Sequence, residues 1–346
     1  MKAKIIVAVA LILAASAAGG YYWLLQDQFV RPGPTSQAMR VNVEPGTSVR
    51  GVLAQLGERG ALLRPRSIEL YLRLHGRRLK IKAGIYEIPA AASAAAIVDL
   101  LEQGRVVLEA LTIVEGSTFA QLRQELASDT DVVTTLAGKS DEQVMAAIDR
   151  SGEYPEGRFF PDTYRFAART TDVEILKLAY ASMQRVLDEA WAERADDLPF
   201  ATPYEALILA SIVEKETGLA RERARISGVF VTRLRQAMRL QSDPTVIYGL
   251  GERYDGELHT RDLTTDTPYN TYTRVGLPPT PIALPGREAL RAAVQPDVTG
   301  DLYFVATGAG DGAHHFSKTL EEHNAAVKQY LARLRQAGTA PGSAPK

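Results

Sequence analysis

The sequence predicts an α+β protein with a single N-terminal transmembrane helix, a small mixed module and a larger mixed α+β domain. An uncharged apolar segment opens the chain, and short alternating strands and helical segments follow it up to about residue 104. Beyond that point, amphipathic helices alternate with short strands and irregular aromatic-rich segments. At 346 residues, of which 46% are hydrophobic, the chain is long enough for about two domains with sizeable cores.

The N-terminal apolar segment predicts the location of the protein. Two lysines lie within residues 1–4, a short cytoplasmic tail, and residues 5–25 carry no charge. About 20 such residues suffice to span a bilayer, and the lysines orient the N-terminus inward. A cleaved signal peptide is the alternative, because 14–18 is a run of small residues. The aromatic residues 21–23 favour an uncleaved single-pass anchor in the cytoplasmic (inner) membrane, with the remainder in the periplasm or otherwise outside the cytoplasm.

The remainder of the chain divides at changes in composition and pattern. Proline, glycine and serine in 26–39 predict a linker. Residues 40–104 have the pattern of a compact β-α-α-β-α module, and 105–336 form the larger domain. Within that domain, the polar segment 129–150 is predicted to be helical. Residues 337–346 are small and polar, which is typical of a disordered tail.

Composition excludes several classes of function. A formal net charge of −1 gives no basis for nucleic-acid binding. The absence of cysteine excludes disulfides, thiolate metal sites and thiol nucleophiles. His314, His315 and His323 lie close in sequence, but adjacent histidines on a strand point to opposite faces. We therefore expect no metal and no cofactor.

The segment 205–217 predicts a buried helix that ends in two carboxylates. Apolar residues cover nearly every face, which is typical of a helix inside a core. At about 100° per residue, Glu216 continues the side of Ile212 and Val213, whereas Glu214 points almost the opposite way. Burial would raise the pKa of Glu216 and keep it protonated near neutral pH, as a general acid for glycosidic cleavage requires. The alternative is a solvated helix end with no catalytic role.

Two later segments suit the walls of a carbohydrate cleft. In 239–249, Asp243 before Pro244 predicts a helix start, and its neighbours would orient sugar hydroxyls or the catalytic carboxyl. In 269–279, aromatic rings can cover the C–H faces of sugars while amides and hydroxyls bind their edges. A helix cap and a proline-stiffened surface loop are the respective alternatives. The predicted substrate-binding residues are Glu214, Gln241, Ser242, Asp243, Thr245, Tyr248, Tyr269, Asn270 and Tyr272.

Four motifs resemble those of the endolytic murein transglycosylases, the YceG-like family. They are ASIVEKET (210–217), LQSDPTVIYG (240–249), YNTY (269–272) followed by GLPP (276–279), and FPDT (160–163). The similarity covers nearly the whole chain, and the motifs occur in the order found in the family. In that family the catalytic acid is the second glutamate of the Glu-Lys-Glu triplet, which corresponds to Glu216.

The resemblance implies a membrane-anchored lytic transglycosylase. Such an enzyme cleaves the bond between N-acetylmuramic acid and N-acetylglucosamine within a peptidoglycan strand, consumes no water and leaves a 1,6-anhydro end. The resemblance also implies that 40–104 is a LysM-like, glycan-binding module. Further implications are a role in ending the elongation of nascent strands during cell-wall growth and division, and proximity to penicillin-binding synthases.

Three alternative functions are consistent with the residues themselves. A lysozyme-like hydrolase would combine Glu216 with a second carboxylate such as Asp243 or Glu214. A non-catalytic peptidoglycan-binding anchor would depend on the 40–104 module. A scaffold of the cell-wall synthesis machinery would need neither the catalytic carboxylates nor the 40–104 module. The chemical nature of the released glycan ends separates the transglycosylase from the hydrolase, since only the transglycosylase product lacks one water and a reducing end.

Overall fold

The structure is a computed structural model that describes residues 2–336, so the predicted tail at 337–346 lies outside the described residues. Its class is mixed α+β, as predicted. The chain forms two compact units. The first contains residues up to 109 together with 165–170, and the second contains 110–164 and the residues from 171 onward.

The first unit has the predicted β-α-α-β-α order after its N-terminal helix. Strands β1 and β2 are antiparallel, with Val41 opposite Tyr86, and both residues are buried in the core shared with the helices. Ser48 and Ser93 cap two of these helices by accepting hydrogen bonds from backbone N–H groups of the first turn. The elements are α1 (Lys2–Val30), β1 (Met39–Val43), α2 (Val49–Glu58), α3 (Pro65–Leu74), β2 (Gly84–Ile88) and α4 (Ala94–Glu102).

The N-terminal helix is longer than the predicted span and continues into the module. α1 ends at Val30, so the first residues of the predicted linker 26–39 are helical. The reason is packing, because Leu25 and Phe29 are buried in the core of the first unit. Residues 5–30 are long and apolar enough to cross a membrane by length and composition.

The second unit is mostly helical and is held together by its central helix, α8. Its strands β5 and β6 form an antiparallel hairpin. Strands β3 (Leu108–Thr112) and β4 (Thr163–Ala167) each contain residues of both units. The other elements are α5 (Phe119–Ser128), α6 (Asp141–Ala147), α7 (Asp172–Ala192), α8 (Pro203–Glu216), α9 (Ala220–Arg235), α10 (Asp243–Leu250), α11 (Thr260–Thr264), α12 (Arg287–Val294), β5 (Tyr303–Ala306), β6 (His314–Ser317) and α13 (Leu320–Gln336).

Helix α8 is buried on all sides, as its composition predicted. Residues 206–213 are all buried, and the helix packs against α7, α9 and α12. Its start is fixed locally, because Thr202 and Glu205 form a reciprocal capping box and Pro203 occupies the first turn. Because residues 206–213 are held in the core, the last turn of the helix starts from a defined position.

The prediction of a helix throughout 129–150 was wrong for its first part. Helix α6 begins only at Asp141, and the residues before it are irregular. The carboxylate of Asp172 accepts hydrogen bonds from the backbone N–H groups of Thr135 and Leu136, each at 2.9 Å. Those N–H groups therefore bind a side chain that is distant in sequence instead of forming helical hydrogen bonds.

Replacing Gly228 by alanine tests the close packing of α9. A Cβ at this position would overlap the carbonyl oxygen of Asp297, whose own N–H donates to the carbonyl oxygen of Ala224 at 2.9 Å. We expect Gly228→Ala to destabilise the protein by about 1–3 kcal/mol, seen as a lower Tm in thermal unfolding. Gly218→Ala is the control, because no atom lies within 4 Å of its added methyl. Equal Tm values for the two variants would contradict this packing.

Candidate active site

The carboxyl group of Glu216 lies at the C-terminal end of α8. It is the last residue of the helix and is half-buried, whereas Ile212 and Val213 one turn earlier are fully buried. Its Oε1 accepts a hydrogen bond of 2.5 Å from the hydroxyl of Ser242. The end of α8 is thereby joined to the start of α10.

A buried network of hydroxyl groups fixes Ser242. The Ser242 N–H donates to Thr271 Oγ1 at 3.0 Å, and the Thr245 hydroxyl donates to the Ser242 carbonyl at 2.7 Å. Since the only hydroxyl proton of Thr245 is used in that bond, the 2.8 Å contact between Thr245 and Thr271 has Thr271 as donor. All three residues are buried. The hydroxyl of Ser242 therefore reaches Glu216 from a fixed backbone.

Arg233 of α9 organises the loop that precedes Ser242. Its buried guanidinium donates to the carbonyl oxygens of Leu240 at 2.7 Å and Leu302 at 2.7 Å. Burial lowers the pKa of Arg233, and the negative charge of nearby Glu216 opposes that shift. Gln241 in this loop has a φ of +53°, a left-handed conformation that the arginine contacts stabilise. Arg233 was not predicted as a site residue.

Tyr272 and Asp243 form a second polar pair at the site. The phenol of Tyr272 donates to Asp243 Oδ1 at 2.6 Å. Burial raises the pKa of Tyr272, with the charges of Asp243 and Glu216 acting in the same direction, so the phenol stays protonated at neutral pH. Asp243 itself is exposed at the first turn of α10. This pair therefore presents a neutral donor and a carboxylate beside the catalytic candidate.

Asn270 supports the loop that carries Tyr272. Its buried amide nitrogen donates to the carbonyl oxygens of Asp262 and Thr265, at 3.0 and 2.6 Å, and its oxygen accepts from the Tyr272 N–H at 2.9 Å. These hydrogen bonds join backbone groups on both sides of Asn270 through its side chain. The structure thus gives this predicted binding residue a role in shaping the aromatic segment.

Tyr248 and Tyr269 lie together in a cluster that also contains a buried carboxyl group. Their rings are 5.0 Å apart in an edge-to-face arrangement, and Tyr269 hydrogen-bonds Thr280 at 2.8 Å. Tyr248 donates to Glu156 Oε2 at 3.1 Å, and Glu156 also accepts from the Phe119 N–H at 2.9 Å. Burial raises the pKa of Glu156 to about 7 despite these donors.

Glu214 makes internal contacts on the face of α8 opposite to Glu216. Its side chain is only 6% exposed. One oxygen accepts from Arg223 at 3.1 Å and the other from the Gly286 N–H at 2.9 Å. These bonds tie α8 to α9 and to the start of α12.

Two of the three late histidines contact different residues. His314 contacts Glu222 at 2.8 Å, and His323 stacks on Tyr303 with ring centroids 5.1 Å apart. Within the described range 2–336, no group of three or more histidine and acidic side chains is arranged to hold a metal ion.

Comparisons with known proteins agree on one family. A model of the YceG-like family matches residues 41–329. An endolytic murein transglycosylase of Bacillus subtilis is 30% identical over 318 residues, which cover 85% of this chain and 85% of that protein. An endolytic murein transglycosylase of Streptococcus pneumoniae serotype 2 is 27% identical over 92% of this chain, which spans only 64% of that relative's length. A crystal structure of a yceG-like protein from Listeria monocytogenes matches 84% of this chain and 99% of its own, with a TM-score of 0.50 and 27% identity.

Glu156 predicts a pH-dependent stability of the second unit. Its pKa rises from 4.5 when unfolded to about 7 when folded, so the folded state holds a proton that the unfolded state has released between these values. Stability is therefore full below pH 4.5 and falls as the pH rises through 7, by about 3 kcal/mol in total. We expect Glu156→Gln to remove this loss, as measured by urea unfolding at about pH 5 and about pH 8.

The same substitution at Glu153 provides the control. This carboxyl group is more exposed and accepts from Tyr180 at 2.8 Å. Glu153→Gln should retain the pH dependence of the wild type. An unchanged dependence in Glu156→Gln would show that another group causes it.

Proposed function

Because this chain belongs to the YceG-like family, we propose that it is an endolytic peptidoglycan lytic transglycosylase with Glu216 as its catalytic acid and base. The observation that carries the proposal is the fixed contact between the Glu216 carboxyl and the buried Ser242 hydroxyl. A carboxyl held at the end of a rigid helix can meet a substrate oxygen in one defined geometry, which is what proton transfer requires.

The proposed reaction moves one proton out of the carboxyl group and one proton back into it. Glu216 donates a proton to the glycosidic oxygen between N-acetylmuramic acid and N-acetylglucosamine, and that bond breaks. Positive charge develops on the anomeric carbon and ring oxygen of the muramyl residue. Glu216 then takes the proton of the muramyl 6-hydroxyl, whose oxygen bonds to the anomeric carbon. The products are a 1,6-anhydro end and a free sugar hydroxyl, and no water is consumed.

The intramolecular nucleophile explains why one carboxylate is enough. A glycosidase that uses water or an enzyme nucleophile needs a second acidic residue at a defined distance. Here the 6-hydroxyl is part of the substrate, so binding places it near the anomeric carbon. Tyr272 and the loop held by Arg233 are then suited to orient the sugar, with Gln241, Asp243, Tyr248 and Tyr269 as further binding candidates.

A lysozyme-like hydrolase is the second candidate, and Asp243 is the carboxylate it would use. Asp243 lies next to Ser242 in sequence and is exposed, whereas both oxygens of Glu214 are already bound by Arg223 and Gly286. In that reaction Asp243 would act as base or nucleophile. Its hydrogen bond from Tyr272 already occupies one of its two oxygens.

The remaining parts of the proposal concern location and partners. We infer that α1 anchors the enzyme in the cytoplasmic membrane as a single span, with the catalytic unit on the outer side. The 40–104 module is proposed as a LysM-like glycan-binding unit. Cutting within strands close to the membrane would end the elongation of nascent chains, beside penicillin-binding synthases. A scaffold with no activity would retain all of these features except cleavage.

Substitution of the two candidate carboxylates separates the two reactions. Glu216→Gln should lower the rate of glycan-strand cleavage by about 100-fold or more, because an amide cannot transfer the proton. Asp243→Asn should retain at least roughly a tenth of the wild-type rate, since its carboxylate makes only a positioning contact. Both rates are measured on purified glycan strands, with Tm as the control for folding. An equal loss in the two variants would favour the hydrolase, and an active Glu216→Gln would rule out the assigned acid.

Removing the Ser242 hydroxyl tests how Glu216 is held. Glu216 becomes a carboxylate as it gives up its proton, and a hydrogen bond to a charged group contributes about 1.5–3 kcal/mol, so Ser242→Ala should lower kcat roughly 10- to 100-fold. Ser227→Ala is the matched control, because Ser227 is equally buried in the same unit and its hydroxyl makes no hydrogen bond. If both variants cleave strands at the wild-type rate, the hydroxyl does not position the carboxyl.

A further inference from the structure

Helices α1 and α3 pack antiparallel in the first unit. The rings of Phe29 and Tyr71 stack with centroids 4.1 Å apart, and the Tyr71 hydroxyl donates to Gln26 at 3.2 Å. About two turns closer to the N-terminus of α1 than Phe29, the Tyr22 hydroxyl lies 3.4 Å from His75 Nε2. Residues nearer the N-terminus of α1 therefore contact residues nearer the C-terminus of α3. The C-terminal end of α3 is thus the end nearer to the apolar segment.

This geometry sets the height of the α3 C-terminus relative to a membrane. If about 20 residues from position 5 fill the hydrocarbon, the outer boundary falls near position 24, within one helical turn of Tyr22. Tyrosine and tryptophan favour that boundary, and residues 21–23 are all aromatic and exposed. His75, in contact with Tyr22, lies at the same level, and so does the loop that His75 begins.

The segment 73–80, which we call the boundary loop, combines an exposed leucine with positive charge. Leu74 is 62% exposed. The segment reads RLHGRRLK, with four lysine or arginine residues and no acidic residue. Arg73, Arg77 and Arg78 line an open cavity of about 460 Å³.

Acidic side chains neutralise only part of this charge. Arg77 pairs with Asp99 and Glu102, and Arg73 lies 3.4 Å from Glu69. Arg50 of α2 adds a further positive charge 3.8 Å from that same glutamate. Five basic residues therefore face three carboxylates, and exposed Arg78 and Lys80 carry the excess.

We propose that the boundary loop is a lipid-binding surface that takes the phosphate headgroups of anionic phospholipids in the outer leaflet. Leu74 enters the interface, while Arg78 and Lys80 pair with lipid phosphates. The inference rests on the proposed membrane anchor. It gives the module a second attachment beside α1, which fixes its orientation on the membrane. A bilayer fits better than a protein partner, because the Tyr22–His75 contact already places the loop at headgroup level.

Depth measurements on single nitroxide labels test the placement. The chain contains no cysteine, so a label on a single introduced cysteine has a unique position. Full-length Leu74→Cys, Leu63→Cys and Ile12→Cys are labelled and reconstituted in nanodiscs that contain phosphatidylglycerol. Relaxation by oxygen and by a water-soluble nickel chelate reports the depth of each label. Leu63 is 79% exposed and precedes α3 at its other end, which makes it the aqueous control.

The expected result is a graded series. The label at position 12 is accessible to oxygen, the label at 74 is protected from the nickel chelate, and the label at 63 is open to it. An aqueous label at 12 would overturn the membrane anchor itself. A lipid-exposed label at 12 with equally aqueous labels at 63 and 74 would overturn the boundary loop alone, leaving the anchor and the enzyme proposal intact.

The second part of the experiment removes the net negative charge of the lipid headgroups. Replacing phosphatidylglycerol by phosphatidylcholine should raise the nickel accessibility of the label at 74 at least twofold. Adding Arg78→Gln and Lys80→Gln should abolish this lipid dependence while leaving the label at 12 unchanged. A label at 74 that is protected equally in both lipids would show that the loop does not depend on anionic headgroups and would overturn the proposal.

Discussion

The hydrogen bond between Glu216 and Ser242 joins the two elements on which the site depends. Glu216 ends a helix whose residues 206–213 are all buried, and Ser242 begins a helix whose first turn is fixed by two buried threonines. Glu216 depends on the buried packing of α8 for its position, and Ser242 depends on the two threonines. Arg233 completes the arrangement, because it binds the carbonyl oxygens of the loop between α9 and α10. The carboxyl group is thus oriented by the core.

Glu214 and Glu216 show how one helix end can serve two purposes. Two residues along a helix correspond to a rotation of about 200°, so neighbouring carboxylates in a Glu-Lys-Glu triplet face opposite sides. Glu214 meets Arg223 and a backbone N–H and helps to pack α8 against α9 and α12. Glu216 meets a hydroxyl at a half-buried position. Their environments differ more than their sequence positions suggest.

The sequence predicted the parts that local pattern determines. The all-round apolar pattern predicted α8 as a buried helix, and the alternating pattern predicted the β-α-α-β-α module. Glu156 was missed because its partner Tyr248 is 92 residues away in sequence, and no local pattern reveals that a lone glutamate will be buried. Arg233 was missed for a similar reason, since an arginine on an amphipathic helix is usually solvated. The irregular segment before α6 depends on Asp172, the first residue of α7, which only the folded chain brings close.

The most direct measurement of the single-carboxylate mechanism is cleavage of purified glycan strands in ¹⁸O-labelled water. If Glu216 passes the proton and the muramyl 6-hydroxyl closes the ring, both new ends retain substrate oxygens. We therefore expect mass spectrometry to find no heavy oxygen in the released glycans, while a lysozyme digest in the same water incorporates it. One heavy oxygen for each bond cleaved by this enzyme would mean that water is the nucleophile, and would contradict the proposed mechanism.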